Sequence, residues 1–241
     1  MTTVWQGSAL ALIFSAVSSL CQAQGAIAGA QAGSAVAQAC QACHGPAGEG
    51  MAQIGSPRLA GLGSSYLRRQ LDAFADGTRA NALMMPIAKA LSPADRAAVA
   101  DYFAAARLPS VGAASAAAAS PTAVALLPAS AASSAGLPTP PSAGALLATR
   151  GRWSEQLPAC EQCHGPGGRG AGPDFPALTG QSAAYLASQL SAWKAGTRPP
   201  GPLNLMAVVA KKLTADDIRS VSEHFAALPV SARPAPAKEA K

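Results

Sequence analysis

The side chains best suited to chemistry in this 241-residue chain lie in two Cys-x-x-Cys-His motifs, at residues 40–44 and 160–164. On a helical turn, two cysteines three positions apart project to the same side, so both can form thioether bonds with one haem. The histidine that follows is placed to bind the haem iron. We therefore predict two covalently bound haem c groups. Their thioether cysteines are Cys40, Cys43, Cys160 and Cys163, and their proximal iron ligands are His44 and His164.

Three other chemistries of the motif fit the sequence less well. A structural zinc site needs four ligands, and neither copy has a second cysteine pair or a histidine at zinc spacing. A thioredoxin-like redox pair requires a βαβ context, which the sequence lacks. A disulfide between the two cysteines of one motif leaves the adjacent histidine unexplained. Covalent haem is thus the favoured interpretation.

Methionines downstream of the motifs supply candidates for the sixth iron ligand. Met84 and Met206 follow their histidines by 40 and 42 residues, and each has an alanine four positions later. The repeat therefore selects Met84 over its neighbour Met85. A methionine in a loop can instead simply fill the core. Here a histidine-ligated iron needs a partner, so we predict axial His/Met ligation, which saturates the iron.

The segments that position these residues occur twice. Motifs of one copy recur in the other at offsets of 120, 119, 119 and 122 residues, so the drift between them is small. Within each copy the apolar residues have helical spacing, as at Leu67, Leu71 and Phe74, and no convincing strand pattern occurs. The sequence thus predicts an all-α fold of two tandem small helical domains, each built around a haem.

The composition divides the chain into five predicted segments. Residues 1–24 are predicted to be a cleaved signal peptide, because the short apolar run at 9–17 precedes small residues. An uncleaved anchor, or a lipid on Cys21, is the alternative. The haem domains are predicted at 25–108 and 143–228. An uncharged, flexible Ala/Ser/Pro-rich linker at 109–142 joins them, and residues 229–241 form a disordered tail.

The charge of the chain is moderately basic. Its formal net charge is +6, with 18 Lys and Arg against 12 Asp and Glu, and no basic run occurs. This pattern does not favour nucleic-acid binding and better suits docking onto acidic protein surfaces. The second copy with its tail carries +4 and the first +2, so the second is the candidate for the face that meets an acidic partner.

Several residues beside the predicted iron ligands are candidates for supporting roles. A ligating histidine usually donates its other ring N–H to a carbonyl, and the carbonyls near Pro57 and Pro176 are the candidates. Arg79 and Arg198 follow a shared Gly-Thr and could reach the haem propionates, or lie solvated on the surface. Two further positions, Tyr66 and Tyr185, either line the haem crevice or simply begin a helix.

Together these motifs resemble the diheme class I bacterial cytochromes c of the c4 type, over about 33–108 and 143–228. The resemblance implies a periplasmic electron carrier, soluble or membrane-attached, between quinol-oxidising complexes and a terminal oxidase. Family members usually join the domains by a short connection that packs the haems edge to edge. Here the longer linker allows such packing without enforcing it.

Two other functions are open. One is a cytochrome c subunit of a periplasmic dehydrogenase complex, with the dehydrogenase as the electron donor. The other is a diheme peroxidase, which would require one iron to lose its methionine. Since both irons are predicted to be six-coordinate, we expect an electron-transfer protein and no catalytic residue.

Overall fold

The computed structural model describes residues 33–108, 141–172, 174–201 and 204–230. The predicted signal peptide, nearly all of the linker and all but two residues of the tail lie outside these ranges. The helices of the described residues fall within the two predicted domain ranges, 25–108 and 143–228. The domain boundaries themselves stay predictions.

Both domains are helical. The first contains α1 (33–44), α2 (Ser64–Ala75), α3 (Met84–Ala90) and α4 (Pro93–Ala105). The second contains α5 (Ala143–Arg150), α6 (Cys160–His164), α7 (Ala183–Lys194), α8 (Leu205–Lys212) and α9 (Ala215–Ala227). Among the described residues, extended backbone pairs only in three isolated antiparallel bridges. No described helix has the length and apolar character needed to cross a membrane.

Short polar side chains start the helices that carry the apolar faces. The Ser92 hydroxyl accepts a hydrogen bond from the Asp95 backbone N–H at the start of α4, where a proline occupies the first helical turn. At the start of α9, Thr214 and Asp217 form a complete capping box, with both reciprocal bonds present. The corresponding helices of the two domains therefore begin at equivalent positions, as the repeat predicts.

Each domain has its own apolar core. In the first, buried residues of α1, α2 and α4 meet around Leu67, Val99 and Phe103. In the second, Leu186, Val221 and Phe225 occupy the corresponding places. Ala177 of the second domain belongs to the core cluster of the first, so the two domains share apolar contact.

The first helix of each domain crosses the last helix of that domain at very short range. A Cβ on Gly33 would lie 2.5 Å from the Ala98 carbonyl oxygen of α4, and a Cβ on Gly144 would lie 2.0 Å from the Ser220 carbonyl oxygen of α9. Only glycine permits this approach. The same close packing of first helix on last helix therefore holds the N-terminal end of each domain in place.

The two domains differ in how that first helix reaches the haem motif. In the first domain, α1 runs without a break from residue 33 to His44. In the second, α5 stops at Arg150, and residues 151–159 form a loop in which Arg152 and Leu157 exchange two backbone hydrogen bonds of 2.8 and 3.0 Å. Gly151, at φ 68°, ends α5 and Leu157 is buried, so the loop is an ordered insertion. The repeat pattern did not predict it.

Candidate haem sites and the interface between the domains

The cysteines of both motifs lie on helices and are free thiols. Cys40 and Cys43 are on the last turn of α1, and Cys160 and Cys163 are on α6. No disulfide joins them, so the disulfide interpretation does not describe this structure. The described residues also contain no group of three or more His, Cys, Asp or Glu side chains that could hold a metal ion by themselves.

The two motif histidines are buried and held in the same way. His44 and His164 are 7% and 6% exposed, and the Nδ1 of each lies 2.8 Å from a carbonyl oxygen, of Pro57 and Pro176 respectively. Burial lowers the pKa of both rings, which favours the neutral imidazole. If Nδ1 donates its proton to the carbonyl, the Nε2 lone pair is free for a metal. The histidines and free cysteines therefore suit covalent haem.

The predicted axial methionines begin corresponding helices. Met84 is the first residue of α3 and Met206 the second of α8, and both are half-buried. The alanines four positions later, Ala88 and Ala210, are fully buried, so the structure places the two methionines at equivalent points of the repeat. The methyl group of Met85 lies beside Gly77 at the end of α2. The assignment of Met84 and Met206 as iron ligands stays a prediction.

The arginines expected near the propionates reach across to the other domain. Arg79 donates from Nη2 to the Tyr185 hydroxyl at 3.2 Å and to Gln189 Oε1 at 2.7 Å. In return, Arg198 donates to the Tyr66 hydroxyl at 3.3 Å and to Gln70 Oε1 at 3.1 Å. The contacts are therefore reciprocal, as expected for a pseudo-twofold interface between duplicated domains.

Burial and stacking fix these guanidinium groups in place. Both arginines are only 7% exposed, so the alternative that they are solvated surface residues is wrong. Arg79 lies over the Phe74 ring at 4.5 Å, and Arg198 lies over the Trp193 ring at 3.8 Å. We call the set of Arg79, Tyr185, Gln189, Arg198, Tyr66 and Gln70 the arginine network.

A second polar contact joins the domains on one side only. The Arg58 backbone N–H donates to Gln181 Oε1 at 2.9 Å, and Gln181 Nε2 donates to the Arg58 carbonyl at 2.8 Å. The Arg58 side chain, 3% exposed, donates to the Thr179 carbonyl oxygen at 2.8 Å and to that of Ala60. We call Arg58 and Gln181 the clasp. Sequence reasoning assigned these residues no role, although they depart from the repeat: at an offset of 119, Ala177 and Leu62 take their places.

The domains are thus in direct contact despite the long linker. The arginine network, the clasp and an ion pair of 2.7 Å between Arg69 and Asp174 all cross the boundary. The sequence left open whether the domains pack together. Buried polar side chains of complementary type, rather than a short connection, account for the packing.

Two haem-binding motifs on an all-helical, duplicated fold define the class of diheme c-type cytochromes. The family model "Cytochrome c" matches residues 30–106. The chain is 35% identical over 201 residues to cytochrome c4 of Pseudomonas aeruginosa, covering 83% of this chain and 88% of that protein. It therefore belongs to the cytochrome c family, among diheme relatives of the c4 type, and it is an electron-transfer protein with two covalent haem c groups.

Relatives of a second kind are also similar to this chain. The thiosulfate dehydrogenase electron acceptor of Stutzerimonas stutzeri (strain A1501) is 42% identical over 193 residues, which is 79% of each protein. A solved structure of thiosulfate dehydrogenase (TsdBA) from Marichromatium purpuratum matches with a TM-score of 0.62 and 40% identity. That match covers 79% of this chain and 36% of the other, so this chain spans about a third of its length.

Proposed function

We propose that this chain accepts electrons from a periplasmic dehydrogenase that oxidises an inorganic sulfur compound, with thiosulfate as the first candidate substrate. The observation that carries the proposal is its 42% identity, over four fifths of both proteins, to a thiosulfate dehydrogenase electron acceptor. The cytochrome c4 of Pseudomonas aeruginosa is less similar, at 35%. The proposal selects the dehydrogenase-linked function among those that the sequence left open.

Each haem, when bound, takes up and gives up one electron at a time. The residues around each haem site are held in place, so that little of the structure has to move when an electron is exchanged. The Pro57 and Pro176 carbonyls fix the rings of His44 and His164 through the 2.8 Å contacts. The arginine network joins the two domains through two buried arginines and the half-buried tyrosines and glutamines to which they donate. The two haem motifs also give a single chain two one-electron centres, which match the pair of electrons released by a two-electron oxidation.

Docking onto the dehydrogenase is proposed to use the more basic second domain. The chain from residue 143 to its end carries +4, against +2 for residues 25–108. Such an excess accelerates encounter with an acidic partner, and salt screens the effect. Reduction rates should therefore fall as ionic strength rises. A rate that is independent of salt would remove this part of the proposal.

The direct test mixes the oxidised diheme protein with a purified thiosulfate dehydrogenase and thiosulfate, and follows haem reduction by absorption. We expect reduction at a rate proportional to the dehydrogenase concentration, and none when either the dehydrogenase or thiosulfate is omitted. The same cytochrome is also mixed with a quinol-oxidising complex and a quinol. Rapid reduction there, combined with none by the dehydrogenase, would overturn the proposal.

That second outcome would support the other candidate, a carrier between quinol-oxidising complexes and a terminal oxidase. The relationship to cytochrome c4 favours this function. Both candidates share export to the periplasm by the N-terminal segment and a chain that is not itself an enzyme. Peroxide turnover by the purified protein would contradict the last point and would indicate a diheme peroxidase.

A further inference from the structure

The loop of residues 151–159, which we call the insertion loop, has no counterpart in the first domain. There α1 runs unbroken into the haem motif, whereas in the second domain the loop separates α5 from α6. The first domain nevertheless carries the same Cys-x-x-Cys-His motif and the same contact between its histidine and a proline carbonyl. The insertion loop is therefore not a requirement of the haem-binding fold.

Contacts with α8, α9 and the core hold the insertion loop in place. Arg152 donates to both carboxylate oxygens of Asp217 on α9, at 2.6 and 2.7 Å. Lys212 of α8 donates from Nζ to the Glu155 carbonyl oxygen at 2.9 Å. Leu157 is 1% exposed and belongs to the core of the domain. Because the loop already has a fixed conformation, a partner that binds to it has little conformational entropy to remove.

An exposed tryptophan lies on this fixed loop. Trp153 begins the short 3-10 turn of residues 153–155 and is 63% exposed. The other tryptophan that the structure describes, Trp193, is half-buried and stacked against Arg198. An indole removes a large, rigid apolar area from water when it is covered, and tryptophan is among the residues most enriched at the energetic centres of protein interfaces. Trp153 thus has the properties of a docking anchor.

The charges around the insertion loop are mostly positive. Arg150 is the last residue of α5, directly before the loop, and Lys211 lies on α8; both are exposed. The carboxylates of Glu155 and Asp217 both pair with Arg152. Among the residues that the structure describes, neither Arg150 nor Lys211 belongs to an ion pair. An apolar anchor with cations beside it complements an acidic surface that contains an apolar pocket.

We propose that the insertion loop is the docking contact for the dehydrogenase, and that Trp153 inserts into an apolar pocket on an acidic face of that protein. The partner is that of the proposed function, on which this inference rests. The loop ends directly before Cys160, and Cys160 packs against the same core cluster as Leu157. A dehydrogenase bound to the loop therefore lies beside the second haem motif, on the more basic of the two domains.

The test mixes the oxidised diheme protein with purified thiosulfate dehydrogenase and thiosulfate, and follows haem reduction by absorption. Trp153→Ala should lower the second-order rate constant, and the affinity of the complex measured by calorimetry, on the order of tenfold. Ile54→Ala is the matched control, because Ile54 is 59% exposed on a 3-10 turn of the first domain. It should change neither quantity. If Trp153→Ala lowers them no more than Ile54→Ala does, the proposal is overturned.

The dependence on salt separates the apolar contact from the charges. Trp153→Ala should lower the rate by a similar factor at low and at high ionic strength, because salt does not screen an apolar contact. Arg150→Gln and Lys211→Gln should lower it mainly at low ionic strength. An effect of Trp153→Ala that disappears at high ionic strength would show that the tryptophan is not an apolar anchor.

A small chemical reductant separates docking from an effect on the second haem. Ascorbate needs no protein docking surface, so it should reduce the natural protein and Trp153→Ala at the same rate, and their absorption spectra should agree. A slower reaction with ascorbate, or an altered spectrum, would show that Trp153 supports the haem site and would overturn the proposal. If the dehydrogenase does not reduce even the natural protein, the proposed function fails and this proposal fails with it. If it reduces the natural protein and Trp153→Ala equally well, only the docking proposal fails.

Discussion

The Nη2 atom of Arg79 lies 3.2 Å from the hydroxyl oxygen of Tyr185, in the other domain. Its counterpart, Arg198, lies 3.3 Å from the hydroxyl of Tyr66. Each arginine occupies the same place in its repeat and donates to the tyrosine that begins the equivalent helix of the other copy. The duplicated sequence has therefore produced a self-complementary surface. Its tyrosines and glutamines lie on α2 and α7, and its two arginines lie just after those helices.

Replacing both arginines of this network with leucine should uncouple the two domains. Each loss leaves half-buried tyrosine and glutamine oxygens without a charged donor, which typically costs about 1.5–3 kcal/mol. Urea unfolding followed at each haem should then change from coincident to separate transitions. Arg69→Leu is the matched control, because the Arg69–Asp174 pair has side chains 33% and 49% exposed. Coincident transitions in the doubly substituted protein would show that the network does not couple the domains.

Met84→Ala and Met206→Ala should each abolish about half of the weak near-infrared absorption band of methionine–iron bonding. The reason is that each substitution removes one predicted axial sulfur while the other site is untouched. Met85→Ala is the control and should leave the band intact. If Met85→Ala loses half of the band and Met84→Ala keeps all of it, then Met85 and not Met84 is the axial ligand of the first haem.

Asp217→Asn should destabilise the second domain at neutral pH by about 1–3 kcal/mol, since Arg152 donates to both of its oxygens at 2.6 and 2.7 Å. This pairing lowers the pKa of the folded carboxyl well below its ordinary value of 3.8. As the pH falls, the carboxyl of Asp217 is therefore protonated in the unfolded chain before it is protonated in the folded protein. The difference in free energy of unfolding between the natural protein and Asp217→Asn shrinks below about pH 4.

Urea unfolding at pH 7 and at pH 3 measures that difference. Asp216→Asn provides the control, because Asp216 and its partner Arg219 have side chains 88% and 63% exposed. It should change the free energy of unfolding by less than about 0.5 kcal/mol at either pH. A difference between Asp217→Asn and the natural protein that does not shrink at low pH would contradict the ion-pair explanation.

Gly48→Ala should destabilise the first domain more than Gly55→Ala does. Both glycines have positive φ, at 75° and 71°, so each substitution costs about 1–2 kcal/mol of backbone strain. Only at Gly48 would the new Cβ also meet a ring, at 2.7 Å from Phe103 Cδ1, whereas nothing lies within 4 Å at Gly55. Overpacking adds about 1–3 kcal/mol. Equal free energies of unfolding for the two variants would show that the ring moves aside freely.

The two haem motifs could be predicted from the sequence because their residues are adjacent in the chain. The positions of Cys40, Cys43 and His44 within one motif, and the capping residues that start α4 and α9, depend on short-range geometry that spacing reveals. The duplication gave each prediction a second, independent check. The pattern of methionine and alanine at Met84 and Ala88, for example, recurs at Met206 and Ala210.

The interface could not be predicted because its partners are distant in sequence. Arg79 and Gln189 are 110 residues apart, and nothing in local periodicity relates them. The sequence did hold one signal for the clasp: Arg58 and Gln181 are the positions where the two copies exchange polar for small or apolar side chains. That two such differences between the copies belong to one contact becomes clear only when the structure shows the pseudo-twofold axis that brings the two positions together.

The clasp also determines which domains can associate. Two copies of the first domain, brought together by a true twofold axis, would set Leu62 in place of Gln181 against the Arg58 backbone at both ends and would bring two guanidinium groups to the axis. Two copies of the second would keep the amide of Gln181 on backbone groups, now those of Ala177, but would have no guanidinium group to join the carbonyl oxygens of the two domains. In the natural pair a single guanidinium group donates to a carbonyl oxygen of each domain, so the two halves of this protein complement each other better than either complements a copy of itself.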